Sequence, residues 1–443
     1  MNDTLLISGA KIAGSVALLA LVLWGVSRLS KIAKLDPEIG RKLVHISLGL
    51  YCLTFPYVFS EAWEVGATCA LAVGVFLLAR GTMKQSLVAS LHSVQRTSYG
   101  ELLFAVSVAL LFWLKDGHFI NVTTGKSPAG PVLYILPILI LTLCDAASAI
   151  VGSRYGKRVF QIEEGKKSIE GVVVFFMTAW LISLMAFLLL TDIGRGEAIL
   201  LAFITAAFGA LLEAASWRGL DNLFIPLGLY FLLANLLYLG VIGLAIRAAV
   251  FFLALLAIVY LTPRKGEDRH IVAVAFTLFF CITIFSGFDS ILTPAVAVAA
   301  YYLCVRFLKL ERPPHDALNL LLVILAVALA FFLASNIWRV DTIFGFNVAF
   351  AALAAAIVAR FTSNLWGITG AAMMALIAMS VRTLWVEGPR EETWVFALLG
   401  FGGILLAIIA GSTLRERKVN RPWMALGGLS MLIGLVSLPA SPP

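Results

Sequence analysis

A single aspartate interrupts the apolar segment ILPILILTLCDAASAIVG, which spans residues 135–152. An ionised side chain within a membrane-spanning helix costs roughly 2.5–3.5 kcal/mol on insertion scales, so Asp145 is a candidate functional residue. The chain after it is strongly basic, with Lys157, Arg158, Lys166 and Lys167. Basic side chains beside a carboxylate that holds a divalent cation are what polyphosphate binding requires. The alternative is that these cations only anchor a loop at the membrane surface.

Further polar side chains stand at the ends of apolar segments elsewhere in the chain. They are Arg41 with His45, Glu101, Glu170, and Glu213 with Asp221 and Asn222. Carboxylates bind divalent cations, and both carboxylates and histidine accept protons in enzymes. Whether these groups share one site depends on the elements that carry them.

The composition indicates an integral membrane protein. Of 443 residues, 61% are hydrophobic and 13% are charged, and the mean hydropathy is +0.98. Soluble domains carry about 25% charged residues, so this chain could not hide its apolar surface in water. The basic residues that produce the net charge of +8 are dispersed. We therefore expect a bilayer with anionic headgroups as the partner, and no nucleic acid.

Apolar stretches of helical length recur along the whole chain and predict an all-α, polytopic membrane bundle. We count sixteen spans, with fourteen as the lower bound. They are residues 5–27, 43–59, 62–79, 99–114, 131–151, 171–190, 197–214, 223–246, 248–262, 271–287, 291–305, 317–335, 343–359, 365–385, 394–411 and 422–438.

The distribution of basic residues predicts an orientation with the N-terminus outside. In that orientation 25 of the 33 Lys and Arg residues fall in cytoplasmic loops and 8 on the opposite side, as the positive-inside rule requires. The polar ends of the spans then lie at one depth on the cytoplasmic face. We expect a shared site there, formed by carboxylates from distant parts of the sequence: Glu101, Asp145, Glu170, Glu213 and Asp221.

Four stretches together resemble the polyprenol kinases, the family of phytol kinase and dolichol kinase. They are Arg41-Lys-x-x-His45, Gly100-Glu101-x-x-Phe104, Asp145-Ala-x-Ala-x-x-x-Gly152 with Lys167-Ser168-x-Glu170-Gly171, and Glu213 followed by Gly219-x-Asp221-Asn222-x-x-x-Pro226. The match covers roughly residues 36–240. The resemblance implies transfer of the γ-phosphoryl group of CTP to the hydroxyl of a long isoprenoid alcohol, with Mg²⁺.

On this resemblance we assign roles to individual residues. Asp145 would bind the metal ion, shared with Glu170 or Asp221. The proton acceptor for the alcohol would be Glu213, Asp221 or His45. The nucleotide would be bound by Gly152, Gly156, Lys157, Lys166, Lys167, Ser168, Glu170 and Gly171. The remaining residues of the motifs, without a separate role, are Arg41, Glu101 and Asn222.

The second half of the chain has no recognisable signature. We therefore divide the chain into a catalytic membrane domain, residues 1–247, and a further multi-span region, residues 248–443. Two other functions stay open. A membrane cytidylyltransferase that makes CDP-lipids has a similar aspartate and Lys-x-x-Glu-Gly ending, and a transporter would also need many spans.

Overall fold

The computed structural model of the protein describes most of the chain. The described residues are 2–35, 37–82, 100–117, 129–162, 165–217, 219–261, 268–286, 288–309, 316–338, 342–362, 369, 393–416 and 422–438. Contacts between these residues divide the chain into two compact units, Met1–Ala273 and Val274–Pro443. The predicted division after residue 247 falls inside a helix of the first unit.

The first unit is helical apart from one hairpin. Its helices are α1 (Asn2–Ile32), α2 (Pro37–Cys52), α3 (Phe55–Val58), α4 (Ala62–Thr82), α5 (Gly100–Leu114), α6 (Val132–Leu139), α7 (Asp145–Tyr155), α8 (Ile169–Leu190), α9 (Arg195–Ala215), α10 (Asp221–Leu236) and α11 (Val241–Leu261). A π-helical turn, Ile140–Cys144, joins α6 to α7. The hairpin strands are β1 (Val159–Ile162) and β2 (Gly165–Ser168).

The second unit is also helical. Helix α12 (Asp268–Ser286) crosses the division, and a 3₁₀ turn, Phe288–Ile291, leads into α13 (Leu292–Phe307). Three further helices follow: α14 (Asp316–Trp338), α15 (Ile343–Phe361) and α16 (Thr393–Glu416), with α17 (Pro422–Val436) at the end. Helix α15 is buried over residues 344–359 and packs against α13, α16 and α17, so it forms the core of this unit.

Six described helices are long and apolar enough to cross a membrane. They are Leu5–Ser30, Val132–Tyr155, Ile169–Leu190, Arg195–Ala215, Asp316–Ser335 and Ile343–Phe361. Eight shorter apolar helices accompany them. Together with the composition, these helices indicate an integral membrane protein, and the predicted helical class holds. The count of sixteen and the outside N-terminus stay predictions, and the span predicted at 365–385 lies outside the described residues apart from 369.

One local prediction was wrong. The span predicted over residues 223–246 is broken, because α10 ends at Leu236 and α11 begins at Val241 after a turn that includes Gly240. The apolar residues continue through this turn, so hydropathy alone hides it. The β-hairpin, whose strands have four residues each, is a local exception in a chain whose all-α class holds.

Candidate active site

The π-helical turn places Asp145 at the first position of α7. Pro137 lies within α6 just before the turn and has no N–H group to donate to the helix. Asp145 follows directly after Cys144, and its side chain is almost completely buried. An extra residue in one helical turn rotates the residues that follow relative to those before it, and such turns are frequent at functional sites.

Helix α2 supplies a basic face to Asp145. The Lys42 Nζ atom lies 2.6 Å from Asp145 Oδ2, and both side chains are more than nine-tenths buried. The His45 Nε2 atom lies 3.7 Å from the same oxygen and 3.3 Å from the backbone oxygen of Leu141 in the π-helical turn. Because a carbonyl oxygen only accepts, Nε2–H donates to Leu141. If His45 accepts a proton, it would therefore use Nδ1.

The hairpin directs one of its two lysines into the protein. Strands β1 and β2 are antiparallel, with Phe160 paired to Lys167. Successive side chains of a strand point to opposite faces. Accordingly Lys166 is exposed, whereas Lys167 is half-buried and donates from Nζ to Glu213 Oε1 at 2.8 Å.

Lys167 also stabilises the end of a helix. Its ammonium group contacts the backbone carbonyl of Glu213, in the last turn of α9, where carbonyl oxygens lack partners within the helix. Burial alone would lower the pKa of Lys167, but the negative charges of Glu213, Asp221 and Asp145 raise the pKa above its ordinary value. Lys167 is therefore protonated at neutral pH.

Three glycines allow the hairpin to pack tightly against α7 and α8. A Cβ atom on Gly156 would lie 2.6 Å from Ser168 Cβ, and one on Gly152 would lie 2.9 Å from Ser168 Oγ. A Cβ atom on Gly171 would lie 3.0 Å from the backbone oxygen of Ser148. Ser168 itself is the N-cap of α8 and accepts a hydrogen bond from Gly171 N at 3.0 Å. These residues fix the position of Lys167.

A tight turn brings Asp221 to the site. Gly219 has φ +79°, in the left-handed region that favours glycine, and α10 begins two residues later at Asp221. The backbone N–H of Asn222 donates to Asp221 Oδ1 at 3.0 Å. The Asn222 Oδ1 atom is buried and has no hydrogen-bond partner among the described residues.

Three carboxylates thus converge from three helices. Asp145, Glu213 and Asp221 each offer one oxygen, and these oxygens all lie within 4.8 Å of one another. Asp145 and Glu213 are buried, and Asp221 is half-buried. Within the described part of the chain, Glu213 Oε2 has no hydrogen-bond partner. Clustered oxygens with an unsatisfied buried acceptor are what a divalent cation requires.

The motifs around this group have relatives among known proteins. Residues 4–219 match the cytidylyltransferase family. A phytol kinase from Synechocystis sp. is 30% identical over 200 residues, which cover 45% of this chain and 80% of the relative. This chain belongs to the polyprenol kinase family. No solved structure matches it significantly.

Several residues of the polyprenol kinase motifs lie apart from the three carboxylates. Glu170 was predicted to share the metal ion, but it lies outside the group, and both of its carboxylate oxygens lie 3.2 Å from the backbone N–H of Arg158. Glu170 lies in the first turn of α8, and Arg158 directly precedes β1. The hydrogen bond between them therefore joins the start of α8 to the base of the hairpin. Other predicted residues are exposed to solvent: Arg41, Glu101, Lys157, Arg158 and Lys166.

The sequence analysis missed one residue at the centre of the site. Lys42 belongs to the Arg-Lys-x-x-His motif of the polyprenol kinases, but only Arg41 and His45 were selected from it. The structure shows that Lys42, not Arg41, is the buried cation beside Asp145. The signal was its spacing, since Lys42 and His45 are three residues apart and share one helix face.

Proposed function

We propose that this protein is a CTP-dependent kinase that phosphorylates the hydroxyl group of an isoprenoid alcohol at the cytoplasmic face of the membrane. The observation that carries the proposal is the convergence of three carboxylates from three apolar helices, Asp145, Glu213 and Asp221. An isoprenoid alcohol dissolves in the bilayer with its hydroxyl at the interface, whereas a nucleotide stays in water. Glu213 and Asp221 stand at the ends of their helices, where the two substrates would meet.

Asp145, Glu213 and Asp221 would hold a divalent cation such as Mg²⁺. Lys42 pairs with Asp145 and Lys167 with Glu213, whereas the described residues show no ion pair for Asp221. A cation bound there would neutralise the phosphate charge that develops during transfer. Glu213 Oε2, which lacks a hydrogen-bond partner among the described residues, is an acceptor suited to such an ion.

The hairpin would bind the nucleotide. Lys167 pairs with Glu213, while Lys157, Arg158 and Lys166 are exposed on the hairpin or just before it. Exposed cations raise the local concentration of a polyphosphate, and a half-buried lysine can then hold a phosphate oxygen. Gly152, Gly156, Ser168 and Gly171 would act by holding the hairpin against α7 and α8. The choice of CTP as the nucleotide rests on the family relationship alone.

The reaction forms a bond between the alcohol oxygen and the γ-phosphorus of CTP. The bond from that phosphorus to the β–γ bridging oxygen breaks, and CDP leaves with its electron pair. Asp221 would accept the alcohol proton, because it is the most exposed of the three carboxylates, and Asp145 and Glu213 each bind a lysine. Phosphoryl transfer depends mainly on positioning and charge, so we expect a smaller effect from the base than from Asp145.

A second candidate is a cytidylyltransferase that joins CMP to phosphatidate. The match of residues 4–219 to the cytidylyltransferase family favours it. The phytol kinase relative and the Asp221-Asn222 element favour the kinase. Both reactions would use the same carboxylates, because one transfers the γ-phosphoryl group of CTP and the other transfers its cytidylyl group.

The position of a label in the product distinguishes the two. Purified protein would be incubated with CTP labelled on the γ- or the α-phosphate, together with phytol, geranylgeraniol, farnesol, a longer polyprenol or phosphatidate. The kinase proposal predicts γ-label in an isoprenoid monophosphate and release of CDP. Label from the α-phosphate in a lipid, with pyrophosphate released, would support the cytidylyltransferase instead. Failure to label any alcohol would contradict the kinase.

A further inference from the structure

One face of α2 packs along the π-helical turn and the first residue of α7. Lys42 contacts Asp145, and His45 contacts both Asp145 and Leu141. Gly49 lies on the same face, and a Cβ atom on it would lie 2.5 Å from Thr142 Cγ2. These α2 residues stand at positions i, i+3 and i+7, which share one side of a helix. Lys42 is therefore held against Asp145 by an extended, close packing of two elements.

Lys42 forms an ion pair with Asp145, the carboxylate that the proposed function assigns to a divalent cation. The Lys42 ammonium lies 2.6 Å from Asp145 Oδ2, and Lys42 is only 4% exposed. Two positive charges that interact with the same carboxylate repel each other, and the repulsion is strong where water is excluded. Lys167 stands in the same relation to Glu213, although its side chain is more exposed.

We propose that Lys42 is an internal counter-ion that competes with the divalent cation for Asp145 and so limits the affinity of the site. This inference rests on the proposed cation site at Asp145, Glu213 and Asp221. Lys42 compensates the buried carboxylate whether or not a divalent ion is bound, and the ion must share that carboxylate with an ammonium group. Removing the charge of Lys42 would make the protein less stable without added cation and would make cation binding tighter.

The test measures cation binding without nucleotide or lipid. Purified wild-type protein, Lys42→Gln and Lys42→Arg would be titrated with Mn²⁺, and the unfolding temperature would be recorded at each concentration. We expect Lys42→Gln, which keeps a hydrogen-bond donor, to have a lower unfolding temperature without Mn²⁺. Its half-saturating Mn²⁺ concentration would fall by about tenfold or more. Lys42→Arg keeps the charge and would stay near the wild-type value.

A matched control is Lys115→Gln. Lys115 pairs with the adjacent Asp116 at 2.6 Å and belongs to neither the carboxylate group nor the hairpin, so its Mn²⁺ titration should equal that of the wild type. Equal or weaker Mn²⁺ binding in Lys42→Gln would overturn the inference. If Lys42→Gln does not fold, Lys42→Met is judged by the same criterion. The titration needs no substrate, so a failure of the kinase assay would leave its result intact.

Discussion

Lys167 and Glu213 are 46 residues apart in sequence, and their side chains form an ion pair with a separation of 2.8 Å. The same ammonium group contacts the backbone carbonyl of Glu213. One side chain therefore joins the hairpin to the end of α9 and also holds a member of the carboxylate group. This double contact gives Lys167 a structural role, to which the proposed function adds phosphate binding.

Replacing Lys167 should damage both roles. Lys167→Met leaves Glu213 without its charged partner, and we expect a loss of roughly 1.5–3 kcal/mol in unfolding free energy. We also expect a higher KM for CTP, because a phosphate contact is lost. Lys166→Met is the matched control, since Lys166 is the neighbouring residue on β2 but is exposed. Equal effects of the two variants on stability and on KM would contradict the assignment.

Gly156 should not accept a larger side chain. In Gly156→Ala the new methyl group would lie 2.6 Å from Ser168 Cβ and would push the hairpin away from α7. Overpacking of this kind costs about 1–3 kcal/mol, which thermal unfolding in detergent would measure. Gly66→Ala is the control, because no atom lies within 4 Å of a Cβ atom built on Gly66. An unchanged unfolding temperature in Gly156→Ala would show that the hairpin is not held by this contact.

Asp145 should be essential for catalysis. Asp145→Asn removes the charge of one of the three carboxylates, and we expect lipid phosphorylation to fall by about a hundredfold or more, since even outer contacts of metal sites are worth 10–100-fold. Asp192→Asn is the control, because Asp192 is exposed in the turn between α8 and α9. Turnover would be measured with the alcohol that the labelling experiment identifies. Near wild-type turnover in Asp145→Asn would refute its role.

The orientation of the chain can be tested with single cysteines. In a variant without the five native cysteines, Lys166→Cys and Asp192→Cys place a thiol at either end of α8. Both native positions are exposed. The predicted topology expects a membrane-impermeant maleimide to label residue 192 in intact cells and residue 166 only after permeabilisation. The reverse pattern would place the site on the outer face.

The sequence predicted a shared site because acidic residues stood near the ends of the predicted spans. Glu213 and Asp221 lie within a turn of a helix end, and Asp145 lies in the second half of the continuous helix Val132–Tyr155. Hydropathy and charge sidedness predicted all three on the cytoplasmic side. The structure brings these three carboxylates together. By its predicted depth in the membrane, Glu170 was an equally plausible metal ligand, but depth does not predict the direction in which a side chain points. Its carboxylate faces the Arg158 backbone because of the hairpin, which periodicity did not reveal.

Lys42 and the break after Leu236 were missed for related reasons. A lysine at the start of an apolar helix also serves as a topological anchor, so Lys42 could not be distinguished from an anchor before its contact with Asp145 was known. The turn between α10 and α11 is apolar, with Leu237, Tyr238 and Leu239 before Gly240. Hydropathy responds to composition and is insensitive to a short break of this kind.

The most direct test of the carboxylate group is Mn²⁺ binding by the purified wild-type protein and by Asp145→Asn, Glu213→Gln and Asp221→Asn, measured by electron paramagnetic resonance. Glu170→Gln and Asp192→Asn serve as controls outside the group. Convergence of Asp145, Glu213 and Asp221 on one cation predicts saturable binding in the wild type and both controls, and weaker binding in each of the three variants. Unchanged binding in those three, or weaker binding in Glu170→Gln alone, would contradict it.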